Sequence, residues 1–280
     1  MDETQIGQIT ATTTPEGSIG KICWFSVRGF EVERSILLQK WVEAGLPESE
    51  FLPEPRKPDC FKQAVREAER TEWVADDIIT RHIVRYIDGK PNERHIVREH
   101  IKKGDAKPYK FEDVGMFLFV PETGTLQTVW HGEGAVDAQW QELVAKVGER
   151  YLTLIKVHND IDVRSALQQK LRHWHSLLMR PTGGVYFIPR DFATEAAKWA
   201  TFLRSIGSEM WALSVAQDAA PVVRQKFEEA KTASAKQVEE VKTQITAETN
   251  EKKKKSMQDY INDELGRIAD MSEHYDSILN

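Results

Sequence analysis

Residues 180–215 read RPTGGVYFIPRDFATEAAKWATFLRSIGSEMWALSV, and strand, turn and helix signals agree along this stretch. Val185, Tyr186, Phe187 and Ile188 form an unbroken apolar, β-prone run between Gly183-Gly184 and Pro189, the pattern of a short strand buried on both faces. Asp191 stands at an N-cap position. Phe192, Ala196, Trp199, Leu203 and Ile206 then recur at intervals of four and three residues, which puts them on one helix face, and Gly207 stands where a C-terminal cap belongs. Met210 to Val215 reads as a second buried strand. Two apolar strands joined by a one-sided helix make a βαβ unit, so a right-handed crossover and a sheet parallel at that point are expected.

Working outward, residues 1–20 are rich in Thr, Gly, Gln and acids without hydrophobic periodicity, which predicts a disordered N-terminal arm. Ile22 to Val27 is a strand candidate, and Glu31 to Ala44 carries Val32, Ile36, Leu37 and Trp41 as a helical stripe ended by Gly45. Pro47, Pro53, Pro55 and Pro58 make the next segment an extended connector. Asp59 is expected to cap a helix with Phe61, Ala64, Val65 and Ala68 inward. From Trp73 to Trp130 the period becomes two, with strands over Ile79–Ile87, His95–Ile101, Phe111–Val120 and Thr125–Trp130. Turn residues at Asp88–Asn92, Gly104 and Pro121–Gly124 separate them, and an antiparallel meander is expected. Asp137 opens a helical region reaching about Val157, and Asp160 or Asp162 caps another helix that carries Val163, Leu167, Leu171 and Trp174.

Composition changes near residue 218. All eight tryptophans lie at or before Trp211, ten of the eleven prolines precede Pro221, and only Gly266 represents glycine beyond it. The expected architecture is therefore a globular α/β body over 21–217, of the α+β kind in its meander, followed by a helical tail over 218–280. In that tail Val223, Phe227, Ala230, Val238, Val241 and Ile245 follow a period near 3.67, and Ile261 and Ile268 belong to a second, heptad-spaced stripe. Either a coiled coil or a hairpin of two helices folding at Asn250 satisfies the pattern. An amphipathic stripe needs a cover, which could be another copy, the body, or the tail's own second half.

With 280 residues, 40% of them hydrophobic, the chain can bury a full core. A formal charge of −6 argues against coating nucleic acid through the overall field and leaves only a local basic patch. The sharpest local signal is the duplicated RHIVR at Arg81–Arg85 and Arg94–Arg98, on either side of a turn. If the two copies share a sheet face, Arg81, Arg85, Arg94 and Arg98 surround two isoleucines and Lys102 and Lys103 extend the patch, a set suited to phosphate. The competing reading is a solvated face whose arginines pair with neighbouring acids.

No catalytic, cofactor-binding or metal-binding residue is expected. His173 and His175 point apart on a helix, and His82, His95 and His100 lack a cysteine or paired acid at ligand spacing. The glycines of TGGVYFIPR precede their strand, whereas phosphate loops place them after it. Two cysteines make no disulfide framework, and without a secretory leader or a run of about 20 apolar residues the expected location is cytoplasmic, with no membrane partner.

Three motifs, ICWFSV at 22–27, LPEPRKPDCFKQAV at 52–65 and RPTGGVYFIP at 180–189, resemble an uncharacterised protein family of bacteriophages, prophages and other mobile elements. The resemblance implies origin rather than chemistry, and would place the chain in the host cytoplasm if it is phage-encoded. The expectation is a non-enzymatic interaction or assembly protein of a phage or mobile element. It would associate through its tail, by self-association or with a protein partner. The alternative is a nucleic-acid-binding accessory protein using the RHIVR hairpin.

Overall fold

A computed structural model describes residues 17–69, 72–133, 135–180 and 182–279. In chain order the elements are β1 (Ser18–Ser26), β2 (Glu31–Glu33), α1 (Arg34–Glu43), α2 (Lys57–Ala68), β3 (Glu72–Ala75), β4 (Ile78–Arg85), β5 (Glu93–Lys102), β6 (Lys110–Val120) and β7 (Thr125–Trp130). They continue as α3 (Ala138–Leu154), β8 (Val157–Asn159), α4 (Asp160–His173), β9 (Leu177–Leu178), β10 (Tyr186–Pro189), α5 (Ala193–Ser205), β11 (Glu209–Ala216), α6 (Ala220–Ala247) and α7 (Glu251–Leu279). The fold is mixed α/β. The expected N-terminal arm falls on residues 1–16 outside the described part, while Ser18, Ile19 and Gly20 already belong to a buried strand.

The chain divides into two compact units. One takes the residues up to Phe30, Ser35–Leu52 and everything from Asn159 onward; the other takes Glu31–Arg34 and Pro53–His158. The two tail helices cluster with the first unit.

The first unit is built on a four-stranded sheet in the order β11-β1-β10-β9. The expected β10–α5–β11 unit is present, but its strands are not neighbours. Strand β1 lies between them and pairs antiparallel with both, Ile22 standing opposite Phe187 on one side and Leu213 on the other. The expected parallel pairing at that point is therefore corrected: β10 and β11 run the same way only because each opposes β1. A nine-residue strand buried along most of its length satisfies its backbone on two edges at once, and the four residues of β10 could not supply that ladder alone.

Helix α5 buries Ala196, Trp199 and Leu203 as expected, with Ala193, Ala200 and Phe202 added, and Gly207 takes φ 74° just beyond its end. Asp191 lies in a short 3-10 turn one residue too early to cap α5. Trp199 meets Trp41 edge-on at 5.0 Å, whereas Phe187 packs against Tyr275 of α7 at 6.2 Å. The two aromatics thus serve different clusters.

The tail is a helical hairpin. Glu248 to Asn250 turn the chain, the Asn250 side chain accepts from the Lys252 and Lys253 amides, and the Leu279 carbonyl accepts from Arg224 at the start of α6. Phe227 stacks on Tyr275 at 5.0 Å and 10°, and Tyr275 donates to the His175 carbonyl at 2.9 Å. Val223, Phe227, Met271, Tyr275 and Ile278 share one core with Ile19, Leu177, Phe187 and Val215 of the sheet.

The second unit is the expected antiparallel meander in the order β3-β4-β5-β6-β7, one strand longer than the sequence pattern showed. Helices α2 and α3 cover one face, where Phe61, Val65, Leu143 and Val147 pack on Val84, Ile96, Val114, Phe117 and Phe119. Asp137 caps α3 by accepting from the Trp140 amide, and Asn159 with Asp162 closes a capping box on α4. In α2 the cap position is Arg56, and Asp59 instead lies inside the first turn. Arg150 of α3 forks onto Glu31 and Glu67, tying β2 and α2 to α3. That guanidinium, through its hydrogen bond, lowers the Glu67 carboxyl below the usual range.

Candidate functional site

The duplicated RHIVR does form the paired strands β4 and β5, with Arg81 opposite Glu99, His82 opposite Arg98, Val84 opposite Ile96 and Arg85 opposite His95. For the two copies to bring their arginines together, Arg81 would have to oppose Arg98. The register is displaced by one residue, and in a strand one residue exchanges the faces. Arg81 and Arg85 therefore lie on the outer face, away from α2 and α3, while Arg94 and Arg98 lie on the helix-covered face.

Each inner arginine is engaged. Arg94 lies 4.6 Å over the Tyr86 ring and 5.6 Å over Phe61, and donates to the carbonyls of Pro91 and Glu93. Arg98 donates to Asp137 at 2.8 Å and to His82 at 3.3 Å. On the outer face Arg81 is paired with Glu72 at 2.6 Å, and Arg85 is exposed. Lys102 lies over the Tyr109 ring, and Lys103 is exposed at the strand end. The expectation of four guanidiniums on one face is corrected by this register. His82, buried against Trp73, has its pKa pushed down to about 4 by burial and by the charge of Arg98.

Among the described residues, no helix of this unit packs on the outer face. Ile79, Ile83, Val97, Met116 and Leu118 are half-buried along it, and Val74, Phe111 and Val129 are 63%, 57% and 38% exposed. Toward one corner the same face gathers three side chains from three strands. His95 of β5, Asp113 of β6 and His131 just after β7 offer ligand atoms that all lie within 4.8 Å of one another. His131 Nδ1 is 3.1 Å from Asp113 Oδ1, and His95 Nδ1 is 4.0 Å from Asp113 Oδ2.

A β-bulge makes this convergence. Ile96 pairs with Gly115 and Val97 with Asp113, so Val114 is the extra residue. Val114 and Gly115 both turn inward, and Asp113, which strict alternation would aim at the helices, turns outward beside His95. Gly115 has φ 155°, and a Cβ there would run into the Val129 carbonyl oxygen and meet the Trp140 ring at 2.8 Å. The local pattern groups His95 only with His82 and His100, and nothing in it draws in Asp113 or His131. Each of the three is separated from the next by 17 residues, which is not a local ligand spacing. The available signal was Gly115 inside an otherwise apolar strand, the mark of a bulge.

The tail residues expected to mediate association are largely covered within the chain. Val223, Phe227, Val238 and Ile261 are buried, and Ala230, Val241, Ile245 and Ile268 are half-buried. A cavity of about 510 Å³ in the first unit is lined by Ser165, Gln168, Arg172, Ser176, Tyr186 and Arg267 among others. Among the described residues its lining offers no carboxylate, imidazole or thiol. Arg267 is already forked on Glu264 and donates to Ser234 at 2.8 Å. No described helix is long and apolar enough to cross a membrane.

A family of unknown function, DUF6744, matches the chain over residues 18–280. Comparison with the curated proteins and with the solved structures finds no match.

Proposed function

The chain belongs to DUF6744, a family of unknown function that carries no activity over to it, and we propose that it is a non-enzymatic interaction protein whose partner-binding surface is the outer face of the meander. The observation that carries this reading is the set of exposed apolar side chains Val74, Phe111 and Val129 on a sheet face that, among the described residues, no helix of its unit covers. Large contiguous apolar patches mark interaction sites, and the half-buried Ile79, Val97, Met116 and Leu118 lie on the same face between these three. The reading moves the interaction from the tail, whose stripe is covered by the first unit's sheet and by its own second half, to the meander. A setting in phages or mobile elements is part of the proposal and rests on the resemblance of the three motifs.

The nucleic-acid alternative has less behind it, because Arg94 and Arg98 are engaged on the inner face and Arg81 on Glu72. Site-specific photocrosslinking in the producing cell tests the proposal, with the crosslinker at Phe111 and at Val129 and, as a control, at the exposed Val222 of α6. A discrete adduct formed at the two meander positions and not at Val222 is expected. Adducts that do not depend on position would defeat the proposal, and a crosslinked dimer of this chain would identify the partner as a second copy.

A further inference from the structure

We propose that His95, Asp113 and His131 form a binding site for a divalent transition-metal ion, independent of whether the meander also binds a protein. Two imidazoles and one carboxylate are the donor set that zinc, iron(II), cobalt, nickel and copper accept, whereas magnesium and calcium prefer oxygen throughout. His95 and Asp113 come from adjacent strands of one sheet, whose backbone ladder holds their Cα atoms in place, and His131 directly follows the next strand. His131 is anchored by its amide, which donates to the Val114 carbonyl at 3.0 Å, and Asp113 is aimed by the bulge beside it.

Metal–ligand bonds of about 2.0–2.2 Å place two ligand atoms of a tetrahedral ion about 3.3–3.6 Å apart. A spread within 4.8 Å therefore needs a closure of up to about 1.5 Å, within the reach of side-chain torsions. With His95 Nδ1 toward Asp113, its Nε2 faces Glu93 Oε2 at 3.7 Å and has no hydrogen-bond partner. A carboxylate behind the far nitrogen of a ligating histidine is the usual means of fixing its tautomer and orientation. Glu93 is itself held by Lys90 at 3.0 Å. Three protein ligands leave at least one coordination position for water or another donor, as in open rather than purely structural sites.

The competing state is a plain His131–Asp113 hydrogen bond beside a solvated His95, and metal titration separates the two. Full-length, chelator-treated protein is titrated with Co2+ and with Zn2+, following the visible Co2+ absorption and the heat of binding. The site predicts one equivalent per chain. Binding should be lost in His131→Ala and in Asp113→Asn, and weakened about 10- to 100-fold in Glu93→Gln. His131→Ala and Asp113→Asn change groups outside the helix-covered core, and far-ultraviolet circular dichroism verifies that both variants remain folded. His100→Ala, which removes a histidine from the same sheet that pairs with Glu112 instead, should bind as the wild type does. Absence of stoichiometric binding to the wild type, or binding undiminished in either folded ligand variant, overturns the site.

Discussion

Gly115 aims the outer face of the meander, because its lack of a side chain lets the bulge close against the Val129 carbonyl and the Trp140 ring. Gly115→Ala should cost about 2–4 kcal/mol through a backbone collision and strain in a well-packed layer. Gly148, inside α3 with open space around it, is the contrasting case, and Gly148→Ala should stabilise by about 0.5–1 kcal/mol. Urea unfolding of the two variants gives the comparison, and equal midpoints would refute the bulge assignment.

His82 belongs to the same scale. Burial, and secondarily Arg98, hold its pKa at about 4 against an ordinary 6.5. The unfolded chain therefore takes up a proton as pH falls through 6.5, and the folded chain does not until about 4. Stability from this group is complete above 6.5 and is lost progressively on acidification, by about 2 kcal/mol at pH 5. Denaturation midpoints at pH 7.5 and pH 5 should diverge less in His82→Phe than in the wild type. An unchanged difference would mean that His82 titrates normally.

At the scale of elements, the RHIVR hairpin illustrates how strand pairing redistributes a motif. Its basic residues are divided between two faces, so a phosphate-binding row is not assembled by the sheet alone. Fluorescence anisotropy with single- and double-stranded oligonucleotides at about 50 mM salt should show no binding with a steep salt dependence. Binding that falls tenfold or more by about 200 mM salt, and that Arg85→Glu abolishes, would restore the nucleic-acid reading. The tail hairpin depends on Phe227, stacked on Tyr275 within a core shared with the sheet. Phe227→Ala should lower stability by about 3–5 kcal/mol, as removal of a buried aromatic does. A loss under about 1 kcal/mol in chemical denaturation would show that the hairpin does not dock as described.

At the scale of the whole molecule, the tail helices complete the core of the first unit. Truncation after Asp218 removes Val223, Phe227, Met271 and Tyr275 from Ile19, Leu177, Phe187 and Val215. The truncated protein should melt well below the full chain, because it exposes an apolar sheet face that α6 and α7 otherwise cover. If the tail were instead an association element, truncation would leave the melting temperature unchanged and reduce the mass seen by light scattering. Both quantities measured on the two proteins decide between these accounts.

Much of the element list was legible in the sequence because helix and strand signals are local. The three-and-four spacing of Ala196, Trp199 and Leu203, the alternation from Ile79 to Trp130, and the glycine after α5 each reflect interactions within a few residues of chain. A turn at Asn250 between α6 and α7 was one of the two arrangements that the tail pattern allowed. The sequence did not determine which strand lies beside which. Nothing in ICWFSV distinguishes an edge from the central place that β1 takes between β10 and β11, since its apolar residues suit either. Register was equally open: RHIVR next to RHIVR reads the same whether the arginines meet or are separated, and a shift of one residue decides it. The meeting of His95, Asp113 and His131 follows from register and a bulge together, across strands whose side-chain period is indifferent to partners. Tertiary packing made these choices, because burying Val114, Phe117 and Phe119 under α2 and α3 selects one face of β6, and everything on the other face follows from that selection.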